Sequence, residues 1–380
     1  MNSVTIFIVL ALIAVVFAQL EKDYLKLFKD FKAKYGRKYK DSKDEATRLE
    51  LFRLNLAKAD NLNKLNGRVS FGVSKFSDRT DEEYSVLLGR KNKGATPAKK
   101  VEKRSPYSGG EKYNLKNVIY AAASKATTAS LVDWTAEGVV TPVKNQGQCG
   151  SCWAHSAAEQ IESQWVMQGN SIWEFSVQQI ASCTSSCLGC GGGDTPAAYE
   201  YIMSLSTGLG SNAFAPYVQS MYNTCLGRRC TEDCTSLDVD ALATEGFYTG
   251  PYATVSSYEA ATDFCTGPCK TQNMTELAAN VAVYGPASIC VNAANWGSYT
   301  GGVMTADACG GSAYSDLDHC VQLVGFNSEA SEPYWIVRNS WATNWGENGY
   351  IYLAYPGNTC GLADEATFVT ISNSQSAFQS

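Results

Sequence analysis

The sequence predicts an α+β fold, in which a helical N-terminal region precedes a larger domain of mixed helices and strands. Residues 20–66 repeat aromatic and polar side chains at spacings of three and four, the period of an α-helix. A second helix is expected to run from Cys152 through Gln168. Three later segments are instead rich in the β-branched and aromatic side chains that strands favour: 317–326, 334–337 and 350–355.

The first 18 residues have the pattern of a secretory signal peptide. Ile6 to Phe17 form an almost unbroken apolar run that is too short to span a bilayer comfortably, and Ala18 supplies a small residue for cleavage. The processed chain is therefore expected to begin near Gln19. No Lys or Arg precedes the run, so a buried N-terminal helix is the alternative.

The cysteines agree with export. All 14 lie at or beyond Cys149, and an oxidising compartment would join most of them in disulfides. The sequon Asn273-Met274-Thr275 predicts a glycan on Asn273. These features predict the secretory pathway, ending in a lysosome-like compartment or outside the cell, and no membrane anchor after signal removal.

Charge divides the chain in two. Residues 19–125 contain 26 basic and 14 acidic residues, a net charge of +12, whereas residues 126–380 contain 5 basic and 23 acidic residues, a net charge of −18. Two such regions should attract each other. The export signal argues against nucleic acid as the partner of the basic region, although two unrelated domains would show the same division.

The N-terminal region carries two helical stripes and a short strand. The predicted helix ends at Gly67, a strand follows over 69–76, and an acidic turn follows over 78–83. Residues 90–112 are basic and rich in Gly, Pro, Ser and Asn, which predicts an exposed linker, with the domain boundary between Lys125 and Leu131. One stripe is aromatic and the other largely polar: Phe28, Phe31, Tyr35 and Tyr39; Asp44, Arg48, Phe52, Asn55, Ala59 and Asn63.

The segment Gln146-Gly147-Gln148-Cys149-Gly150-Ser151-Cys152-Trp153-Ala154 carries the most specific chemical signal. A thiol reacts as its thiolate, and a helix N-terminus or a nearby imidazolium lowers its pKa. Cys152 follows a glycine-rich loop and opens a predicted helix. The segment resembles the papain family of cysteine peptidases, in its cathepsin L-like branch, and the resemblance extends from about Phe28 to Glu365.

The resemblance implies a two-lobe fold with a cleft between a helical lobe and a β-barrel-like lobe. It also implies a catalytic site in which Cys152 is the nucleophile, His319 the base, and Asn339 the group that orients the base. The Gln146 side chain and the Cys152 backbone N–H would bind the oxyanion. His155, the other histidine, lies one turn further along the predicted helix and is expected to have no catalytic role.

The resemblance also implies the substrate-binding residues. Glycine at a backbone station allows an extended substrate to approach closely, and Glu365 at the base of the second subsite would accept Arg at P2 besides aliphatic or aromatic residues. Glu365 pointing into solvent is the alternative. The residues implied in substrate binding are Gly192, Gly193, Asp194, Thr195, Cys290, Leu317, Cys320, Trp341 and Glu365.

The stripe over 44–63 resembles the inhibitory pro-domain motif of the family, with Asp44 and Ala59 as mild departures. The implied organisation is a signal peptide (1–18), an inhibitory pro-domain (19–89), a linker (90–125) and a peptidase domain (126–380). A secreted zymogen, activated at acidic pH, is therefore expected. It would act on proteins or peptides through a thioester and need no cofactor or metal. We expect a monomer, with its own pro-domain and cystatin-like proteins as inhibitors.

The resemblance implies three disulfides, Cys149–Cys190, Cys183–Cys225 and Cys309–Cys360, with Cys152 left free. Seven further cysteines remain, and their pairing stays open, with Cys265–Cys269 and Cys290–Cys320 as two separate candidate pairs. The seven are Cys187, Cys230, Cys234, Cys265, Cys269, Cys290 and Cys320.

Three other functions compete with an endopeptidase. A catalytically silent family member would usually lack the nucleophile or the base, and both are present. An exopeptidase needs a loop that blocks the cleft, often with histidines, and the chain has only two histidines, although the long segment 226–275 leaves this alternative open. A zinc site is disfavoured by the same shortage and by the oxidising compartment.

Overall fold

The structure is a computed structural model that describes residues 22–65, 67–91, 99–100, 129–218, 250–263, 265 and 272–372. Several predicted features lie outside these residues: the predicted signal peptide, most of the predicted linker, Cys225, Cys230, Cys234, Cys269 and most of the segment 226–275. The helices are α1 (22–35), α2 (Ser42–Asn63), α3 (Asp81–Ser85), α4 (Cys152–Met167), α5 (Val177–Cys183), α6 (Thr195–Met203), α7 (Met274–Tyr284) and α8 (Ala306–Cys309). None of the described helices is long and apolar enough to cross a membrane.

The strands lie almost entirely in the second half of the chain. They are β1 (Val69–Phe71), β2 (Lys99–Lys100), β3 (Leu131–Asp133), β4 (Thr254–Ala260), β5 (Ala287–Val291), β6 (Tyr299–Met304), β7 (His319–Asn327), β8 (Tyr334–Arg338), β9 (Tyr350–Ala354) and β10 (Ala366–Ser372). Their order is β1-β6-β9-β8-β7-β5-β10-β4-β2, with β3 beside β7. The α+β fold is confirmed, and among the described residues the sheet is an open path that does not close into a barrel.

The predicted polar stripe of α2 holds the chain that follows it. Asp41 caps the helix, and its carboxylate accepts bonds from the backbone of Lys43 and Asp44. The Arg48 guanidinium makes two bonds to Glu83, of 2.6 and 2.7 Å. Asn55 donates to the carbonyls of Ser77 and Arg79 at 3.0 and 2.7 Å. The stripe is polar because it satisfies backbone groups of the next loop.

The end of α2 differs from the sequence prediction. The helix stops at Asn63, before Gly67, because the Asn63 amide exchanges two 2.8 Å hydrogen bonds with the Phe71 backbone. The following strand covers only Val69–Phe71, and Ser74 turns away to donate to the carbonyl of Gly297. The predicted acidic turn becomes the short helix α3, which Thr80 and Glu83 close in a capping box.

The N-terminal region joins the main sheet directly. Strand β1 pairs antiparallel with β6, with Val69 opposite Gly302. This is strand addition to a sheet edge, in which backbone hydrogen bonds fix the position of the added segment. The aromatic residues Phe28, Phe31 and Phe52 form a separate small core that joins α1 to α2. The N-terminal region is thus a small helical unit fastened to one edge of the larger domain.

The helix α4 packs along strand β7. All its residues are buried, and Ser156 Oγ donates to the carbonyl of Val321 at 2.7 Å. The Gln322 side chain returns a 2.9 Å bond to the carbonyl of Glu159. The helix therefore cannot slide along the strand, and its first residue, Cys152, is fixed beside the start of the strand, where its thiol contacts the backbone N–H of Cys320.

Candidate active site

Cys152 lies at the first turn of α4, as the sequence predicts. Its thiol contacts backbone N–H groups of Trp153, Cys320 and Gly89, each of which favours the thiolate. The helix N-terminus adds a positive potential at the same point. Cys152 is nevertheless fully buried in this structure, because Gly89 covers it.

His319 and Asn339 form the second part of the site. The Asn339 side-chain oxygen accepts a 2.8 Å hydrogen bond from Nε2 of His319. This contact assigns the Nε2 proton and leaves Nδ1 without a hydrogen-bond partner among the described residues. Trp341 covers the pair, with its ring 4.8 Å from the imidazole. The imidazole is thus oriented in a site that excludes water.

Gln146 is held next to this pair. Its side-chain oxygen accepts bonds from Ser340 Oγ at 2.7 Å and from the Trp341 indole at 3.1 Å. The amide nitrogen therefore faces the cleft, where it donates to the carbonyl of Leu87 at 2.9 Å and to that of Cys149 at 2.8 Å. A donor fixed in this way can bind a developing oxyanion without reorganising.

The N-terminal region crosses the cleft with residues 87–91. The Gly193 N–H donates to the carbonyl of Gly89 at 2.9 Å, and the Lys91 N–H donates to the carbonyl of Gly193 at 2.6 Å. A side chain at Gly89 would bring its Cβ to 1.9 Å from the carbonyl oxygen of Gly150, so only glycine fits there. Gly192 also has a positive φ of 108°. The predicted backbone station is therefore occupied by the chain itself.

Aromatic residues that precede the segment 87–91 pack against Trp341. Phe76 and Tyr84 contact its indole edge-on, at 5.1 and 5.7 Å between ring centroids. The Tyr84 hydroxyl donates to the carbonyl of Ala293 at 2.7 Å, and the Lys75 ammonium donates to the carbonyl of Trp341 at 2.8 Å. These contacts anchor the segment just before it enters the cleft.

Burial under the segment 87–91 shifts the pKa values of both Cys152 and His319. It raises the pKa of the Cys152 thiol to about 11, against the smaller opposing effect of the backbone N–H groups. It lowers the pKa of His319 to about 4, against the hydrogen bond to Asn339. Between these values both groups are neutral. The covered site therefore holds an unreactive thiol.

The pocket predicted as the second subsite is filled by Arg90. Its guanidinium forms an ion pair with Glu365, and both side chains are almost fully buried. Leu317 offers its carbonyl at 3.5 Å, and Tyr314 lies under the guanidinium at 4.5 Å. The alternative in which Glu365 points into solvent is wrong. The sequence prediction for Arg90, an exposed linker residue, is also wrong, because the buried carboxylate holds its charge.

The remaining predicted subsite residues lie around this pocket. Asp194 is buried beside Glu365, and Thr195 begins α6 directly after it. Cys290 and Cys320 are cross-strand partners on β5 and β7 and form a disulfide, which selects one of the open alternatives. The two sulfur atoms and a carboxylate oxygen of Glu365 lie within 4.8 Å of one another, close enough to share a metal ion. Sulfur atoms in a disulfide, however, offer no thiolate to a metal.

The disulfides Cys149–Cys190 and Cys309–Cys360 are present as the resemblance implies. Cys183–Cys225 stays a prediction because Cys225 lies outside the described residues. Cys265 is also disulfide-bonded, and Cys269, its predicted partner, is not described. Asn273 is exposed at the start of α7, where its side-chain oxygen caps the helix through a 3.0 Å bond from the Glu276 N–H.

The structure also shows a contact that the sequence did not predict. The Tyr217 hydroxyl lies 2.7 Å from Ser151 Oγ and donates to the carbonyl of Gln146 at 3.0 Å. Its ring packs edge-on against His155, whose pKa burial lowers to about 3. Tyr217 thus holds the loop on both sides of Gly147 and Gly150, through Gln146 and Ser151. No local sequence motif predicted this contact.

Comparisons with known proteins agree with this geometry. Residues 128–370 match the papain family cysteine protease domain, and residues 28–84 match the cathepsin propeptide inhibitor domain (I29). A cysteine proteinase of Trypanosoma brucei brucei is 34% identical over 355 residues, which cover 92% of this chain and 68% of the relative. Digestive cysteine proteinase 1 of Homarus americanus is 32% identical over 356 residues, which cover 90% and 94%.

Solved precursors share the fold. Digestive procathepsin L 3 from the larval midgut of Tenebrio molitor superposes with a TM-score of 0.65 at 29% identity, covering 91% of this chain and 99% of the other. The recombinant stem bromelain precursor gives 0.68 at 26% identity, covering 92% and 100%. In this chain, the segment before the peptidase domain crosses the cleft and covers the thiol. The chain belongs to the papain family of cysteine proteases and is the zymogen of a cysteine endopeptidase.

Proposed function

We propose that Cys152, His319 and Asn339 carry out peptide hydrolysis through an acyl-enzyme. The 2.8 Å bond between His319 and Asn339, beside a thiol at a helix N-terminus, is the observation that carries this proposal. His319 takes the thiol proton, and the sulfur attacks the scissile carbonyl. Gln146 and the Cys152 N–H bind the oxyanion, at the point where Gln146 now donates to Leu87.

Collapse of this intermediate breaks the C–N bond. His319 gives its proton to the leaving amine, and a thioester remains on Cys152. Water then attacks the thioester, His319 takes a proton from it, and the carboxylic acid leaves as the thiol is restored. Neutral Asn339 orients the imidazole without adding charge to the thiolate–imidazolium pair.

Turnover of a dipeptidyl fluorogenic substrate by the acid-treated precursor tests these roles. We expect activity that is absent from Cys152→Ala and that an epoxide inhibitor of cysteine peptidases abolishes. Lack of activity in the folded, processed wild type would contradict the assignment and favour a silent homologue. The relatives named above are described as proteinases or their precursors and give no support to that alternative.

The pocket that ends at Glu365 supports dual specificity at P2, for Arg and for aliphatic or aromatic residues. A buried carboxylate favours a cation, and the walls from Leu317 and the Cys290–Cys320 disulfide favour apolar side chains. Matched substrates with Arg or Leu at P2 test this directly. Absence of cleavage with Arg at neutral pH would contradict it.

Acid activation follows from the charges across the interface. Arg68 pairs with Glu332 at 3.7 Å and Arg90 pairs with Glu365, and the +12 and −18 regions add a long-range attraction. Protonation of peptidase carboxylates weakens this attraction, after which cleavage within the 90–125 linker would free the cleft. Equal inhibition by the isolated pro-region at acidic and neutral pH would contradict this mechanism.

The export features belong to the same proposal. A signal peptide over 1–18, a pro-domain over 19–89 and a peptidase over 126–380 would deliver a disulfide-bonded zymogen to a lysosome-like compartment or outside the cell. The exposed Asn273 is a suitable glycan acceptor. The active enzyme would be a monomer whose cleft, once the segment 87–91 has left it, binds cystatin-like inhibitors. Endoglycosidase treatment with intact-mass measurement tests the glycan.

A further inference from the structure

Arg90 is bound in the second subsite as a ligand would be. Its guanidinium pairs with Glu365, lies 4.5 Å from the centre of the Tyr314 ring and points one N–H towards the Leu317 carbonyl. Its backbone N–H donates to the carbonyl of Asp318 at 2.9 Å. Glu365 thus binds the charge of the guanidinium, Tyr314 contacts its flat face, and the Asp318 carbonyl binds the backbone of Arg90.

A second buried acid faces the same guanidinium. Asp194 occupies the N-cap position of α6, where a carboxylate normally accepts the N–H of the second or third helical residue, yet its side chain accepts only the N–H of Thr195, the first residue of the helix. It also turns towards Glu365, with which it is in hydrogen-bond contact, and towards the charge of Arg90. Its Oδ1 atom is buried without a hydrogen-bond partner among the described residues. The contact with the helix therefore accounts for only part of the surroundings of this carboxylate.

Two adjoining carboxyl groups in a buried site cannot both ionise without a large cost. A pair that holds one proton carries a single negative charge, which matches one guanidinium. The other titratable groups near the pair are Tyr199 on α6, whose pKa burial raises so that it stays neutral, Tyr314, and Asp318 across the pocket. Cys290 and Cys320 are joined in a disulfide and do not titrate.

We propose that Asp194 and Glu365 together form a two-carboxyl receptor for a guanidinium group, which Arg90 occupies in the zymogen and an arginine of the substrate occupies after activation. This inference rests on the proposed peptidase function and deepens it. It adds Asp194 as a specificity-determining residue, and it makes the pro-segment the template for the preferred P2 side chain.

The receptor should select arginine over lysine. A guanidinium is planar, presents a fork of donors to two carboxyl groups and stacks on an aromatic ring, whereas an ammonium is a compact, strongly hydrated point charge. The Tyr314 ring and the Leu317 carbonyl add contacts that suit the planar group. Because Tyr314 and Leu317 would also favour arginine beside Glu365 alone, a variant at Asp194 is needed to isolate the contribution of the second carboxyl group.

The first experiment compares kcat/KM of the activated enzyme for matched substrates with Arg, Lys or Leu at P2. We expect the wild type to prefer Arg to Lys by about tenfold, and Asp194→Ala, which removes the second carboxyl group in either protonation state, to lower the Arg-to-Leu ratio by about tenfold. Asp307→Ala, at an exposed acid on α8, is the control and should leave this ratio unchanged. Equal use of Arg and Lys, or an unchanged ratio in Asp194→Ala, would overturn the receptor.

The second experiment needs no turnover. The rate at which a small alkylating reagent labels Cys152 in the full-length precursor, followed by peptide mass spectrometry, reports how often the cover opens. We expect Arg90→Met and Arg90→Lys to label about tenfold faster than the wild type, and Lys91→Met, at an exposed neighbouring cation, to label at the wild-type rate.

The two experiments separate the two proposals. An enzyme that cleaves none of the substrates, including that with Leu at P2, would contradict the proposed function, while the labelling rates would still test the receptor in the zymogen. An enzyme that cleaves the Leu substrate without preferring Arg to Lys would overturn the receptor alone. Labelling of Arg90→Met at the wild-type rate would also overturn it.

Discussion

Two buried clusters of carboxylates differ in the origin of their cation. Beneath α4, Glu159 faces Arg338, and both belong to the peptidase domain. In the cleft, Asp194 and Glu365 face Arg90, which belongs to the segment that the proposed activation would remove. One cluster is thus permanent, and the other would lose its cation on the proposed activation.

The permanent cluster is tied to its surroundings by many hydrogen bonds. Arg338 donates to the carbonyl and, at 3.0 Å, to the hydroxyl of Thr141. Glu162 accepts from Lys144 at 2.9 Å and from the Phe175 N–H at 2.9 Å. Such a cluster fixes the back of the catalytic helix in one position, since leaving any member unpaired in the interior is costly.

The cleft cluster can release Arg90 because a shared proton and water can take the place of the guanidinium. Two adjoining carboxyl groups can share one proton, and water would enter the pocket once the segment leaves. The difference teaches that a buried charge can be either structural or exchangeable, depending on whether its partner is part of the same domain.

The largest effect is expected when the permanent cation is removed. Arg338→Met leaves Glu159 buried without its partner and removes the bonds to Thr141. At alkaline pH we expect a loss of about 3–5 kcal/mol in the free energy of unfolding, measured by urea denaturation in a Cys152→Ala background. Glu332→Gln, which removes a partly exposed partner of Arg68, is the control and should cost about 0–1 kcal/mol. A similar small loss for Arg338→Met would contradict the structural role.

The second effect is a dependence of the free energy of unfolding on pH, caused by Glu159. Burial raises the pKa of Glu159 from 4.5 to about 7, against the attraction of Arg338. The folded state therefore binds a proton that the unfolded state releases, and this contribution to stability is present below pH 4.5 and lost as pH rises to about 7. The other charges acting on Glu159 are Lys144, Glu162 and Glu174.

Glu159→Gln replaces the protonated acid with a neutral group of the same shape. Relative to this variant, the wild type should lose about 3 kcal/mol of unfolding free energy over that range. Denaturation curves at several pH values, again in the Cys152→Ala background, measure the difference. Parallel pH profiles for the two proteins would show that Glu159 does not titrate there.

A smaller effect is expected at the exchangeable cluster. Arg90→Met in the precursor leaves Asp194 and Glu365 without their cation, but burial and Glu365 raise the pKa of Asp194 and favour its neutral form, so we expect a loss of about 1–3 kcal/mol. The loss should shrink in acid, where Asp194 is neutral and the site needs less compensating charge. A loss as large as that of Arg338→Met, with no dependence on pH, would remove the distinction between the two clusters.

The sequence predicts the elements that carry local motifs. The helix at Cys152, the strand at His319 and the polar stripe of α2 were all correct, because helix period and strand composition are set by neighbouring residues. The pairing of His319 with Asn339 depends on strands β7 and β8, and only the family resemblance indicated it before the structure.

Long-range contacts were not predictable in the same way. Arg90 is basic and stands before a Gly- and Pro-rich stretch, so composition alone assigned it to solvent. Its burial depends on Glu365, which is 275 residues away in the chain. The sequence likewise predicted a longer strand β1 than the structure has. The strand ends early because Ser74 turns out of the strand direction to donate to the Gly297 carbonyl.

The smallest effect concerns a buried contact without charge. Tyr217→Phe removes a hydroxyl that bridges Ser151 and the carbonyl of Gln146, and keeps the ring against His155. A neutral hydrogen bond contributes about 0.5–1.5 kcal/mol, so the unfolding free energy should fall by that amount. Because Gln146 Oε1 is held independently by Ser340 and Trp341, kcat should change little. A large loss of kcat with unchanged KM would instead show that the oxyanion donor depends on Tyr217, and that neutral bonds in this domain fix the site as firmly as its charges do.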